Sequence, residues 1–161
     1  MKVLIVSDNH RYDTYLEQVI KEEAPFDCFI HLGDATGSED YIRTIVNCPT
    51  YMVRGNNDFF CDLPKEQEFE LAGNKILITH GHYYYVGQHT EEIRRQGRAR
   101  NADIVMFGHT HRPYLDIGDE MTVLNPGSIS YPRQENRKPS YIVMEIGSEG
   151  IVQYQIKYLE K

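Results

Sequence analysis

The sequence predicts an α/β fold in which two β-sheets pack face to face and helices cover their outer surfaces. Short apolar segments alternate with amphipathic ones in the front half of the chain, as in strand–helix units. The last third contains short apolar runs separated by glycine-containing turns, which predicts mostly antiparallel strands. A chain of 161 residues can bury one sizeable core, so we expect a single domain over residues 1–161.

The front half supplies the predicted strand–helix units. The apolar run at residues 2–6 predicts a buried strand, and residues 12–23 have helical spacing behind a candidate N-cap, Asp13. Residues 28–32 predict the second strand. A helix at 39–46 with Ser38 as its cap and a third strand at 51–53 complete this half.

The second half of the chain is predicted to contain a hairpin, then a helix, and then only strands. Residues 67–71 and 75–79 flank Ala72-Gly73-Asn74, which predicts a hairpin. Residues 90–99 have helical spacing despite Gly97. The remaining predicted strands are 104–107, 114–117, 121–124, 141–146 and 151–158.

Composition excludes several classes of protein. A formal charge of -7 disfavours nucleic acids and anionic membranes as partners, so we expect no stable nucleic-acid complex. No apolar run approaches the roughly 20 residues of a membrane span, and no signal segment is evident. We therefore expect a cytoplasmic protein. Cys28, Cys48 and Cys61 lack CxxC spacing, which argues against a disulfide framework or a zinc–thiolate site.

Polar side chains follow the predicted strands in a pattern that packing does not explain. His109 and His111 stand two residues apart behind a buried strand, and Gly108 lets the backbone turn sharply there. In an extended or tightly turned segment, such residues point the same way. Asp8 and His10 repeat this spacing after the first strand.

Three further strand ends carry ligand-type side chains, and ligands of open α/β sheets bind at the carboxyl ends of strands. The seven candidate metal ligands are Asp8, His10, Asp34, Asn56, His80, His109 and His111. Seven oxygen and nitrogen donors exceed the need of one tetrahedral zinc, so two metal ions are the economical interpretation. With two carboxylates and a hydroxide, such a centre keeps a charge of about +1, which matches a phosphodiester monoanion.

Other interpretations remain open at this level. Gly-Asp and Gly-Asn pairs are common turn residues, and two histidines can belong to a core. A single-metal hydrolase acting on another ester would leave several of the seven donors unused. Each motif is weak alone, and the case for a metal site depends on five of them in succession.

The motifs together resemble those of a known family. Asp8-Asn9-His10, Gly33-Asp34, Gly55-Asn56-Asn57-Asp58, His80-Gly81-His82 and Gly108-His109-Thr110-His111 occur in the order found in the calcineurin-like metallophosphoesterase superfamily. The short chain and the Asn125-Pro126-Gly127-Ser128 segment resemble its small YfcE-like phosphodiesterases. The resemblance implies a four-layer α/β/β/α sandwich of two mixed sheets with flanking helices.

The resemblance also implies a binuclear centre and a reaction. One metal would be bound by Asp8, His10 and His111, the other by Asn56, His80 and His109, and Asp34 would bridge them. The two divalent ions would be Mn²⁺ by preference, with Ni²⁺, Fe²⁺, Zn²⁺ or Co²⁺ as alternatives. A metal-activated hydroxide would hydrolyse a small-molecule or nucleotide phosphodiester, and a homodimer is a possible assembly.

The expected catalytic residues are Asp34, Asn57, Asp58 and His82. Many relatives have a histidine where this chain has Asn57, which cannot supply a proton to the leaving group. His82 or a metal-bound water is the substitute candidate, and Asp58 is expected to be able to orient a histidine introduced at position 57. Arg133, which follows the Asn-Pro-Gly-Ser segment, is a less favoured candidate for contacting a phosphate. The alternative function is a non-catalytic scaffold, because the resemblance extends to a retromer subunit of this fold.

Overall fold

The computed structural model describes residues 1–160 and contains ten strands and three α-helices in that range. In chain order the elements are β1 (Lys2–Val6), α1 (Thr14–Glu23), β2 (Cys28–His31), α2 (Glu39–Ile45), β3 (Thr50–Met52), β4 (Glu66–Leu71), β5 (Asn74–Thr79), a 3₁₀ helix (His82–Tyr84), α3 (Glu91–Ala99), β6 (Ile104–Met106), β7 (Pro113–Ile117), β8 (Thr122–Pro126), β9 (Ser140–Ile146) and β10 (Val152–Tyr158). No helix within the described residues has the length and apolar character needed to cross a membrane.

Two five-stranded sheets of mixed direction make up the framework. The first has the order β10-β9-β1-β2-β3, in which β1, β2 and β3 are parallel and β9 is antiparallel to both of its neighbours. The second has the order β4-β5-β6-β8-β7, in which β5, β6 and β8 are parallel and the edge strands are antiparallel. Parallel strands at the centre of both sheets bring their carboxyl ends to one region.

The prediction of mostly antiparallel strands in the C-terminal third is confirmed, since β7 pairs antiparallel with β8, and β9 pairs antiparallel with β1 and β10. The exception is the other edge of β8, which pairs parallel with β6. A hairpin pattern in the sequence predicts the pairing of its two strands but not which further strand pairs with the free edge of the second one.

Alternation of apolar residues within single strands produces the layers. In β1, Val3 and Ile5 join the core between the sheets, whereas Leu4 and Val6 join the core under α1 and α2. Buried residues on the outer face of the second sheet pack with Ile93 of α3. The predicted α/β/β/α order is thereby confirmed.

Both predicted helix caps occupy the N-cap positions, but neither side chain bonds its own helix. The Ser38 hydroxyl donates to Asp13 at 2.8 Å, and the Asn9 amide donates to the same carboxylate at 2.7 Å. Asp13 and Ser38 therefore link the starts of α1 and α2 to the loop after β1. That loop carries Asp8 and His10.

Gly97 lies inside α3, where helix propensity alone would disfavour it. A Cβ atom built there would lie 2.5 Å from Met121 Sδ and 2.6 Å from Val105 Cγ2. The methionine can move, but Val105 is a stiff, fully buried residue of β6. The glycine therefore allows α3 to pack directly on the second sheet.

We predict that Gly97→Ala lowers the free energy of unfolding by up to about 2 kcal/mol. Alanine gains about 1 kcal/mol in helix propensity, but overpacking a closed core typically costs about 1–3 kcal/mol. Urea denaturation of the variant would measure the difference, with Arg98→Ala on the exposed face of α3 as a control that should change little. A Gly97→Ala protein more stable than the parent would contradict this packing account.

Candidate metal centre

The loops after β1, β2, β3, β5 and β6 bring all seven sequence-predicted ligands together. Two sets of three side chains have converging donor atoms, and within each set these atoms lie within 4.8 Å of one another. One set is Asp8, His10 and His111, and the other is Asp8, Asp34 and His80. Asn56 and His109 lie next to the second set. The fold thus assembles one polar cluster from five separate strand ends.

Asp8 is at the centre of the cluster and is fully buried. Its Oδ2 atom accepts hydrogen bonds from Ser7 Oγ at 2.6 Å and from the His109 backbone N–H at 3.1 Å. Its Oδ1 atom has no hydrogen-bond partner among residues 1–160. The Nε2 atoms of His111, His10 and His80 lie 3.3, 3.7 and 3.8 Å from Oδ1.

Asp34 lies between the two histidine groups. Its Oδ2 atom is 3.4 Å from His80 Nε2 and 3.7 Å from His10 Nε2. Asn56 Oδ1 is 3.1 Å from His80 Nε2 and 3.1 Å from His109 Nδ1. Asp34 is therefore close to a ring from each group, and Asp8 likewise belongs to both sets of converging donors.

Backbone carbonyls orient two of the imidazoles. His80 Nδ1 donates to Leu32 O at 2.7 Å, and His111 Nδ1 donates to Tyr131 O at 2.7 Å. In each ring the Nε2 atom then faces the cluster with its lone pair available. Metal-binding histidines are commonly fixed in this way, since the second nitrogen sets the tautomer and the ring orientation.

The backbone around the cluster is strained. Five of the seven candidate ligands have φ between 46° and 70°, the left-handed region that non-glycine residues rarely adopt; they are Asp8, His10, Asp34, His109 and His111. Each such residue costs about 1–3 kcal/mol. The left-handed turns, and not the alternation of an extended strand, make side chains two residues apart converge.

Glycines make room for the carboxylates. A Cβ atom at Gly108 would lie 2.2 Å from Ser7 Oγ and 2.8 Å from Asp8 Oδ2, and one at Gly55 would lie 2.1 Å from Asp34 Oδ1. The chain also turns sharply here, as the sequence predicted, since the Thr110 backbone N–H donates to Gly108 O at 2.8 Å. The positive φ of this turn belongs to His109, so Gly108 itself is required for the close approach to Asp8.

The electrostatics of the cluster favour bound positive charge. Burial alone would raise the pKa of Asp8, but the charge of His80 and the nearby imidazoles of His10 and His111 hold that pKa far below its usual range. Burial likewise opposes ionisation of Asp34, yet the adjacent His80 ring and its charge, together with the two hydrogen bonds from Asn57, lower the pKa to about 2.

His80 responds in the opposite direction. Burial would lower its pKa, but Asp8 and Asp34 raise it to about 9, so the buried carboxylates draw a proton onto the ring. A metal ion would take the place of that proton. The unpartnered Asp8 oxygen, the oriented imidazoles and this negative potential all fit a divalent cation with nitrogen and oxygen ligands.

Asn57 and Asp58 support the cluster from one side. The Asn57 backbone N–H donates to Asp34 Oδ1 at 2.9 Å, and its side-chain amide donates to Asp34 Oδ2 at 2.9 Å. The Asp58 carboxylate accepts backbone N–H groups of Asp34, Thr36 and Gly55, each at 2.7 Å. Asp58 therefore anchors the two loops, and its engaged oxygens do not favour the expected role of orienting an introduced histidine.

His82 stands at the edge of the cluster. Its ring centroid is 5.4 Å from that of His80 and 6.1 Å from that of His109. Its buried Nδ1 atom lacks a hydrogen-bond partner in the described part of the chain. Burial and the charges of His80 and His109 lower the pKa of His82 to about 4.

Several supporting residues were not identified as such from sequence. The buried Asn125 amide donates to Gly108 O and to Thr110 Oγ1, both at 2.9 Å, and thus fixes the loop after β6. Ser128 Oγ donates to Asp8 O at 2.7 Å. The sequence indicated the Asn-Pro-Gly-Ser segment only through the family resemblance, because its hydrogen bonds join residues that are far apart in the chain.

His31 is a fully buried supporting residue. Its Nδ1 accepts the Gly33 backbone N–H at 3.1 Å, which leaves Nε2 to donate to Asn9 Oδ1 at 2.8 Å. Asn9 lies between Asp8 and His10. His31 thereby connects the end of β2 to the loop that carries two candidate ligands.

Comparisons with known proteins agree with this geometry. The family model of the calcineurin-like phosphoesterase superfamily domain matches residues 1–149. The probable metallophosphoesterase YsnB of Bacillus subtilis is 34% identical over 150 residues, which cover 92% of this chain and 86% of that protein. The chain therefore belongs to the calcineurin-like phosphoesterase superfamily.

Solved structures of the same fold come from bacteria, archaea and eukaryotes. A conserved uncharacterized protein of Streptococcus pneumoniae, described as a predicted phosphoesterase, has a TM-score of 0.78 at 25% identity and covers 97% of both chains. An archaeal phosphodiesterase has a TM-score of 0.76 at 21% identity, covering 98% of this chain and 100% of its own. Zinc-complexed Vps29 of Entamoeba histolytica has a TM-score of 0.77 at 23% identity, covering 98% and 99%.

We predict that Asp34→Asn weakens the binding of both metal ions by at least about tenfold, since even supporting residues of metal sites contribute about 10- to 100-fold. The amide keeps the shape of the carboxylate but removes its charge from a position 3.4 Å and 3.7 Å from two imidazoles. Manganese titration followed by elemental analysis would measure both affinities. Loss of one ion only, with the other bound normally, would contradict a shared position, and the exposed Asp119→Asn is the matched control.

Proposed function

We propose that this protein is a metal-dependent phosphodiesterase with a binuclear centre. The observation that carries the proposal is the buried Asp8 Oδ1 atom, which lacks a hydrogen-bond partner within residues 1–160 and faces three imidazole nitrogens. Leaving a buried carboxylate oxygen unsatisfied is costly. A cation shared with neighbouring ligands removes that cost, and membership of the phosphoesterase superfamily supplies the reaction class.

In this proposal each metal site has its own ligands. Asp8, His10 and His111 would hold one ion, whereas Asn56, His80 and His109 would hold the other. Asp34 would be shared between the two sites. The donors are carboxylate, amide and imidazole without thiolate, a set that suits Mn²⁺ and also accepts Fe²⁺, Co²⁺, Ni²⁺ or Zn²⁺.

Hydrogen bonds within the chain position the metal-binding side chains before the substrate binds. Two divalent ions in such a centre clamp phosphoryl oxygens and lower the pKa of bound water towards about 7. Asn57 donates two hydrogen bonds to Asp34 and so fixes the carboxylate between the two sets. Asp58 fixes the loops on which Asp34 and Asn56 lie. We assign both residues to positioning rather than to direct catalysis.

Protonation of the leaving group is the remaining requirement. The Asn57 amide is already occupied with Asp34, and an amide is not a proton donor at neutral pH. His82 is at the edge of the cluster. Because burial and the charges of His80 and His109 lower the pKa of His82 to about 4, its ring is neutral at pH 7 and can donate a hydrogen bond but has no additional proton to give. We propose that neutral His82 hydrogen-bonds the leaving-group oxygen and that the proton would come from a metal-bound water.

Charge favours a diester over a monoester. Two divalent ions with Asp8, Asp34 and a hydroxide leave about +1 at the centre, which matches the single charge of a diester phosphate. The overall charge of -7 disfavours long nucleic acids as substrates. A small-molecule or nucleotide phosphodiester is the proposed substrate class.

A non-catalytic role is the alternative, and the similarity to Vps29 in fold is the observation that favours it. A scaffold of this kind would need neither the buried Asp8 carboxylate nor the five strained ligand positions. Metal-loaded protein without hydrolytic activity towards any phosphoester would support this alternative.

We predict that kcat/KM is at least about tenfold higher for bis(p-nitrophenyl) phosphate than for p-nitrophenyl phosphate, since a mismatch of one charge in a buried site exceeds about 1.4 kcal/mol. Steady-state assays of manganese-loaded protein would measure the ratio. His111→Ala serves as the control against contaminating activity, because it removes a candidate ligand. A preference for the monoester would overturn the proposed substrate class.

A further inference from the structure

A cavity of about 690 Å³ opens beside the candidate metal centre. His10 and His111 form one wall, and the segment after β8 forms the other. The residues of that segment are Ser130, Tyr131, Pro132, Arg133 and Arg137. Small-molecule sites typically occupy about 300–1,000 Å³. The cavity is therefore large enough for a group that extends from a phosphate held at the metal centre.

Two arginines of this cavity have no acidic partner in the described chain. Arg133 and Arg137 form no ion pair with any carboxylate of residues 1–160, as is also true of four other arginines, but of these six only Arg133 and Arg137 line this cavity. Glu135 lies between them in sequence but does not line the cavity. The cavity therefore carries two positive charges beside the metal centre, although the chain as a whole has a net charge of -7.

The segment that carries Arg133 is fixed to a candidate ligand. The Arg133 backbone N–H donates to His111 O at 3.0 Å, and Tyr131 O accepts from His111 Nδ1 at 2.7 Å. Tyr131 N–H in turn donates to Ser128 Oγ at 2.8 Å. The start of the Arg133 side chain is thus held at a constant position relative to the metal centre.

Tyr131 gives the cavity an aromatic wall. Its ring meets that of His10 edge to face, with centroids 5.6 Å apart, and 51% of the residue remains exposed. Such a ring can lie against a sugar or a base. Arginine forks in turn match phosphate oxygens and bind them through paired hydrogen bonds.

We propose that Arg133 and Arg137 form a subsite for a second, non-scissile phosphate of the substrate. The preferred substrates are then phosphodiesters whose one arm carries a terminal phosphate, as in a phosphorylated dinucleotide. The scissile phosphate lies at the metal centre, and the arm extends past His10 and Tyr131 into the cavity. This inference rests on the proposed function, because it assigns the scissile group to the centre.

The test compares three dithymidine phosphodiesters, one without a terminal phosphate, one phosphorylated at the 5′ end and one at the 3′ end. Charged hydrogen bonds contribute about 1.5–3 kcal/mol each, so we expect at least about a tenfold higher kcat/KM for one of the two phosphorylated forms. The advantage should shrink as ionic strength rises, because exposed charges are screened. Equal kcat/KM for all three compounds would overturn the subsite.

The variants Arg133→Gln, Arg137→Gln and their combination test the assignment. Each single variant should reduce the ratio between phosphorylated and unphosphorylated substrate, and the double variant should bring it close to one. Arg98→Gln on the exposed face of α3 removes an equal charge far from the cavity and should leave the ratio unchanged. A ratio that survives in the double variant would place the second phosphate elsewhere.

A binding measurement separates this inference from the proposed function. Calorimetry of manganese-loaded protein with thymidine 3′,5′-bisphosphate should give a lower Kd than with either thymidine monophosphate, and the difference should disappear in the double variant. If no diester is hydrolysed but this difference is found, the subsite stands and the proposed function fails. If diesters are hydrolysed but neither measurement shows a preference, the function stands and the subsite fails.

Discussion

Asp8 places a carboxylate in a fully buried position, and within the described residues one of its oxygens has no hydrogen-bond partner and lies 3.3–3.8 Å from three imidazole nitrogens. Removing such a charge from water costs several kcal/mol unless a partner compensates for it. The left-handed backbone at Asp8 and four other candidate ligands adds further strain. A cation that binds only the folded chain would compensate for both, so metal binding and stability are linked here.

The order and direction of the strands in the two sheets bring these ligands together. Parallel strands occupy the centre of each sheet, and their carboxyl ends deliver loops from both sheets to one region. The supporting hydrogen bonds then cross between those loops, from Asn125 to Gly108, from Ser128 to Asp8 and from Asp58 to Asp34. Each loop is held by a residue that comes from a different part of the chain.

The sequence predicted the layers, most elements and the seven clustered side chains, because strand periodicity and polar residues at strand ends are local patterns. It did not show that β8 pairs parallel with β6, because that pairing depends on the tertiary arrangement of the strands. The N-cap positions of Asp13 and Ser38 were correct, but their mutual hydrogen bond required the packing of α1 near α2. The cavity with Arg137 was missed for the same reason, since its other wall comes from the loop after β1.

The most direct test of the account is a crystal structure of manganese-loaded protein with anomalous diffraction data recorded at the manganese edge. The account predicts two anomalous peaks about 3.5–4 Å apart. One peak should lie within bonding distance of Asp8 Oδ1, His10 and His111, the other beside Asn56, His80 and His109, with Asp34 between them. A single peak at saturating manganese, or an Asp8 Oδ1 atom without a metal neighbour, would contradict it.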